Sequence, residues 1–353
     1  MNNSFGRLLR LTSWGESHGS AIGGVLDGVP AGIALAEADL QKELDRRKPG
    51  QSRVSTQRKE PDAVKILSGV FEGRTTGAPI GFIIENVDRN AGHYDAIKNI
   101  WRPGHADYTL DAKYDIRDYR GGGRSSARET AVRVAAGAIA RKIIPEIWIT
   151  GYTVQIGGIK IENFDETEIE NNIVRAPDAA AAAKMIALID EVRKEGDSVG
   201  GIVEIIAENA PPGLGAPVYG KLNADIAAAM MGINAVKGVE IGSGFKCASM
   251  RGSLHNDPIE LNGDGKVVFR TNNAGGILGG ISNGDTIVVR IAVKPTPSIL
   301  KEQDAVDKNG FSRKVSVEGR HDPCICPRAV PVAEAMMALV LADHALLNRA
   351  AKI

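Results

Sequence analysis

"VPVAEAMMALVLADHALL", residues 330–347, is apolar almost all round. A surface helix carries one apolar stripe, whereas a helix apolar on every side belongs in an interior. The stretch therefore reads as a buried core helix. Working outward, "EADLQKELDRR" (37–47) has the spacing of a short amphipathic helix that stops before Pro49-Gly50. "SSARETAVRVAAGAIARKII" (125–144) reads as a helix capped by Ser125 or Ser126, with Ala131, Val134, Ala135, Ala138 and Ile139 at helical spacing. "DAAAAAKMIALIDEVRKEG" (178–196) predicts a helix ending at Gly196, and "GAPVYGKLNADIAAAMMGI" contains another. Strands are expected in "AVKILSGVF", "APIGFIIENVD", "IWITGYTVQIGGI", "VGGIVEIIAENA", "VKGVEIGSGF" and "DTIVVRIAVKP". The alternation is irregular and does not fit a steady βαβ repeat. No low-complexity linker divides the chain, so one large α/β domain over 1–353 is expected.

The 353 residues carry a formal net charge of zero. That speaks against a broad nucleic-acid or membrane surface. No stretch is read as approaching the roughly 18–20 apolar residues of a membrane span. The N-terminus has no apolar h-region, and three cysteines make no disulfide framework, which together point to a reducing cytoplasm. The cations are unevenly spread. "DRRKPGQSRVSTQRK" (45–59) holds six against one acid, and "RDYRGGGRSSARETAVR" (117–133) holds five arginines. Guanidinium forks in a neutral protein suit a small anion bearing phosphate or carboxylate.

No G-x-x-x-x-G-K-[ST], dinucleotide fingerprint, C-x-x-C or H-E-x-x-H is present, and no metal role is assigned. Polar islands in glycine-rich loops remain. "TSWGESHGSAIGG" (12–24) sets Glu16, Ser17 and His18 between Gly15 and Gly19; "WRPGHADYT" (101–109) holds His105. "RGGGRSSARET" (120–130) reads as a loop whose backbone comes close to a ligand at a helix start. "NNAGGILGGISNGD" (272–285) reads as a ligand wrap or a set of tight turns. "KPTPSI" (294–299) and "EGRHDPCICPR" (318–328) complete the set. His18 and His105 read as proton carriers, whereas His93, His255 and His344 read as structural. Two other readings stay open here: a metal-dependent phosphohydrolase using His18, His105, His321 and Asp322, and a non-catalytic phospholigand-binding module.

The ordered islands Gly15–Gly19, Gly123–Thr130 and Gly319–Cys324, with "RPGHAD", "INAVKGVEIG" and "AGGILGGIS", resemble the chorismate synthase family over about residues 5–347. The resemblance implies a β-α-β sandwich, commonly homotetrameric. It implies conversion of 5-enolpyruvylshikimate 3-phosphate to chorismate and phosphate, the last common step of aromatic amino acid biosynthesis. This is an anti 1,4-elimination that needs reduced FMN without net redox change. It assigns substrate contacts to Arg47, Arg53, Arg102, Arg128 and Arg320. Flavin contacts fall on Arg124, Ser125, Ser126, Asn234, Ala235, Gly279, Lys294, Pro295, Thr296, Pro297, Ser298 and Arg320. His18 would protonate the departing phosphate and His105 would stabilise reduced flavin. Asp322, relayed through Ser17, would take the proton that reaches the flavin. Glu16 and Cys326 receive no role. Some relatives reduce FMN with NADPH; the missing dinucleotide fingerprint points instead to an external flavin reductase.

Overall fold

A computed structural model describes residues 3–50, 60–88, 92–317 and 321–351. Arg53 and Arg320 lie outside the described residues. Two five-stranded antiparallel sheets enclose a layer of helices. Across the first sheet the strands run Ser4–Phe5, Arg10–Gly15, Ala21–Asp27, Ile80–Glu85, Val64–Ile66. Across the second they run Ile159–Lys160, Trp148–Ile156, Gly201–Glu208, Ile287–Val293, Val236–Ile241. Each sheet buries one face by period-two alternation. Ile22, Gly24 and Leu26 stand opposite Ile84, Phe82 and Ile80 in the first, and Val203 and Ile205 opposite Ile291 and Val289 in the second.

Helices Glu37–Arg47 and Thr130–Arg141 pack on the first sheet, and Leu222–Met231 and Cys326–Asn348 on the second. The helix pairs face each other, with Thr130–Arg141 against Cys326–Asn348. That contact is close because position 137 is glycine. A Cβ there would lie 2.4 Å from the Cβ of Ala335. The same wiring occurs twice. Apart from the short edge strands, each sheet orders its strands first, second, fourth, third. One helix falls between the second and third strands and another follows the fourth. A small sheet, Ser312–Val315, Gln303–Asp307 and Ile100–Trp101, stitches the halves together through Val306 opposite Trp101.

The helix read from 330 begins four residues earlier, at Cys326, and accommodates Pro331. It is buried from Cys326 through His344, apart from Arg328. One expectation is corrected: its 23 residues are long and apolar enough to span a membrane by composition. Two strands of the second sheet and three helices supply its apolar surroundings instead. Its buried Glu334 ties the first half's cations to the second half. Arg46, Arg141 and the Gly151 N–H all donate to that carboxylate.

The helix expected from Ser125 starts instead at Thr130. Two 3₁₀ turns, Gly123–Ser125 and Ala127–Glu129, precede it, separated by extended Ser126. Ser126 Oγ accepts from Arg128 N at 3.3 Å and so caps the second turn, not the α-helix. A helix dipole aimed from Ser125–Ser126 at a ligand is therefore not what this segment provides. The strands Arg10–Gly15 and Ala21–Asp27 were not read from sequence. They make "TSWGESHGSAIGG" the crossing between neighbouring strands.

Candidate active site

A cleft of about 530 Å³ opens where the two halves meet. Its volume falls in the range of roughly 300–1,000 Å³ usual for small-molecule sites. His18, Arg47, Arg102, His105, Ser125, Ser126 and Arg128 line it from the first half. Asn234, Ala235, Lys294, Thr296, Pro297, Ser298, His321, Asp322 and Arg328 line it from the second.

The loop after the first long strand is held by Asn86, whose Nδ2 donates to the carbonyls of Glu16 (3.0 Å) and Gly19 (2.9 Å). Glu16 contributes that backbone carbonyl while its residue is exposed. Ser17 is buried; its Oγ lies 3.0 Å from His18 Nδ1 and donates to the Arg120 carbonyl at 3.3 Å. The His18 ring meets Tyr94 edge to face at 5.4 Å.

Gly121, Gly122 and Gly123 all have positive φ (+65°, +101°, +53°). A Cβ on Gly121 would stand 2.3 Å from His18 Cε1, and one on Gly122 would stand 2.9 Å from His105 Cε1. The glycine run thus brings two imidazoles onto consecutive peptide units, a role beyond the ligand approach read from sequence. His105 Nδ1 lies 3.2 Å from Asp107 Oδ1 and 3.1 Å from Arg102 Nη2.

The arginines converge with counter-charges. Arg47 is 2% exposed and donates to Thr130, Asp62 and the Ala127 carbonyl. Burial and nearby Arg328 push its guanidinium down to about 9, against the pull of Asp62. Arg128 shares Asp62 and donates to Asn86 Oδ1 at 2.9 Å, tying the anion-facing cations to the His18 loop. Arg328 donates to Asp322 at 2.5 Å and reaches the Arg47 carbonyl at 3.3 Å. Sequence reading missed Arg328, Asn86 and Asp62. Arg328 stood at the start of the apolar helix, a place where a cation has no packing reason to be.

On the opposite wall, Asn234 Nδ2 donates to the Ser125 carbonyl at 2.9 Å, while its buried Oδ1 has no partner among the described residues. Ala235 holds a left-handed φ of +70°, uncommon for a residue with a Cβ, and its carbonyl accepts from Lys294 N. Lys294 Nζ donates to the Gly104 carbonyl at 2.7 Å, and Thr296 Oγ1 to that of Asp322 at 2.7 Å. Burial depresses the Lys294 ammonium, with Lys237 adding to it. His321 Nε2 is likewise buried without a partner among the described residues. Burial and Arg102 push its imidazole down to about 4, so it is neutral near pH 7.

Three expected contacts do not line the cleft. Arg124 turns toward the first sheet and donates to Ser13 and Asn3. Gly279 is the first residue of a two-glycine turn (φ +60° and +91°) joining Ile277–Leu278 to Ile281–Ser282, which fulfils the tight-turn reading. Pro295 packs toward Gly200. His255 and His344 bond Ser243 and Asp225, as structural histidines would; the His93 side chain is outside the described residues. Among the described residues no three His, Cys, Asp or Glu side chains gather to hold a metal, so the metallo-phosphohydrolase reading finds no ligand set.

Two imidazoles against a glycine backbone, four arginines and two orphaned polar atoms in one cleft define an enzyme site for a small anionic ligand that exchanges protons. The comparisons with known proteins are specific. The family model described as chorismate synthase matches residues 9–346. The chorismate synthase of Chloroflexus aggregans is 59% identical over 353 residues, covering 99% of this chain and 97% of that protein. That of Sphingopyxis alaskensis is 59% identical over 352 residues, covering 99% and 98%. A crystal structure of chorismate synthase superposes with a TM-score of 0.77 at 35% identity, covering 98% of this chain and 93% of that one. The chain belongs to the chorismate synthase family.

Proposed function

We propose that the cleft converts 5-enolpyruvylshikimate 3-phosphate to chorismate and phosphate with reduced FMN bound beside the substrate. What carries the reading is the meeting of His18 and His105 on Gly121–Gly122, within a cleft lined by Arg47, Arg102, Arg128 and Arg328. A substrate with two carboxylates and a phosphate matches that concentration of guanidinium groups. Each charge-assisted hydrogen bond contributes roughly 1.5–3 kcal/mol.

The residues fit a flavin. Asn234 Oδ1 and His321 Nε2 are buried polar atoms in want of a ligand partner. Lys294, Thr296, Pro297 and Ser298 form the adjoining wall, with Ser125, Ser126 and Ala235 beside them. When bound, reduced FMN would supply a transient electron that helps expel phosphate from C3, at the far end of the 1,4-elimination from the weakly acidic C6 proton. The chain's own groups do the rest. With the Ser17 hydroxyl proton on the Arg120 carbonyl, His18 Nδ1–H donates to Ser17 and Nε2 is the atom that gives a proton to departing phosphate. His105 exchanges a proton beside the reduced, anionic cofactor and so helps to stabilise it. Asp322, which accepts from Arg328, is the final acceptor of the proton lost from C6, with Ser17 as relay. Arg124 and Gly279 are dropped from this chain's own cofactor wall. Arg53 and Arg320 stay as substrate-side expectations, Arg320 also toward the flavin. A homotetramer, a single domain, a cytoplasmic location and an external flavin reductase complete the proposal.

The test is anaerobic turnover of the enolpyruvyl substrate with chemically reduced FMN, repeated with NADPH and oxidised FMN. Chorismate in the first arm is expected. No chorismate there would sink the reading, and chorismate in the second would remove the need for an outside reductase.

A further inference from the structure

Asp107 is 1% exposed, and its carboxylate engages Arg102, His105 and Arg117. Its carboxylate accepts from Arg102 N (3.1 Å), Nε (2.7 Å) and Nη2 (2.8 Å) and pairs with Arg117 Nη1 at 3.0 Å. Although burial opposes ionisation, these donors and His105 hold the carboxyl far below its usual range, so it is an anion throughout the working pH. His105 Nδ1 stands 3.2 Å from its Oδ1.

Two tautomers of His105 compete. If Nδ1 is bare, its lone pair faces the carboxylate oxygen, and only Arg102 Nη2, at 3.1 Å, favours it. If Nδ1 carries the proton, it donates to an anion, a charge-assisted bond about twice as strong as a neutral one. Arg102 Nη2 loses little, since its shorter bond is already to Asp107. Around His105 stand Arg102, Lys294 on the Gly104 carbonyl, and His321, while the cleft's Asp322 carboxylate is paired with Arg328. None of them offers a competing acceptor to Nδ1.

We propose that Asp107 is a positioning residue which fixes the proton of His105 on Nδ1, leaving Nε2, packed against Gly122, as the atom that exchanges a proton in the cleft. The proposal rests on the reading of His105 as a proton carrier but not on the reaction assigned to it. Asp107 also shares its charge between Arg102 and Arg117, and Arg117 is paired with Asp111 as well.

The test is ¹⁵N-histidine NMR of the ligand-free protein, which reports the His105 tautomer without any assay. The expected result is the Nδ1–H form in the parent protein and its loss in Asp107→Asn, whose amide can present a donor to Nδ1. Turnover in that variant should fall about 10²- to 10⁴-fold with KM little changed, as expected when a base sits in the wrong tautomer. Asp107→Glu should restore part of it. An Nε2–H spectrum in the parent overturns the proposal even if Asp107→Asn fails to fold, and so does an unchanged tautomer in a folded variant. Failure of chorismate formation alone would count against the reaction and leave the tautomer result standing.

Discussion

At the residue scale, the cleft separates proton carriers from charge holders. His18→Ala and His105→Ala are each expected to lower kcat by about 10²- to 10⁴-fold with the fold intact, checked by anaerobic turnover and circular dichroism. Near-parental turnover in either would remove that imidazole from the chemistry. His321 differs because it is neutral by environment. Its folded-state value of about 4 lies below the ordinary 6.5, so between those values the unfolded chain binds the extra proton. Its contribution to stability is thus complete above about pH 6.5 and is lost as pH falls toward 4. Urea unfolding at pH 7 and pH 5 should show the parent losing more stability than His321→Gln over that interval. Equal losses would show that the imidazole is not held neutral.

At the scale of elements, Gly121 is the most exposed to test. A Cβ there meets His18 at 2.3 Å in a backbone conformation that L-residues rarely adopt. Gly121→Ala should cost about 1–2 kcal/mol in local strain and, by displacing His18, lower turnover by about 10²-fold, since a shift of roughly 1 Å can do so. Unfolding and turnover measured together check this; full activity would mean His18 is not held by the glycine run. The same loops show what sequence could and could not tell. The amphipathic helix 37–47 was legible to the residue because apolar spacing and Pro49 bound it. The two islands carrying His18 and His105 were legible because their residue types have no packing purpose. The start of the helix at Thr130 was not legible, because it is set by Arg128 reaching a carboxylate 66 residues away. Nor was Asp62 itself, an acid in an unremarkable stretch that becomes fully buried between two guanidinium groups. Long-range ion pairing leaves no periodicity to read.

At the scale of the molecule, the two sheets never pair with each other, so the halves are joined by helix packing, by the small stitched sheet and by buried charge. Glu334 is the focus of that charge. Glu334→Ala takes one of three carboxylates from Arg46, which keeps Glu43 and Glu170, and leaves Arg141 without its carboxylate and the Gly151 N–H without its partner, so a loss of about 1–3 kcal/mol is expected, measured by equilibrium denaturation. A loss under about 1 kcal/mol would mean solvent replaces the carboxylate.

The doubled wiring has one more consequence. His18, Arg102, His105 and Arg128 come from one copy of the pattern, and Asn234, Lys294, Asp322 and Arg328 from the other. Any molecule gripping both walls therefore acts as a rivet across the seam. By mass action, a ligand at 100 times its Kd adds about 2.7 kcal/mol to the folded state. Here that gain falls on the boundary that the two large sheets do not cross, where helix packing, ion pairs and the small stitched sheet do the joining.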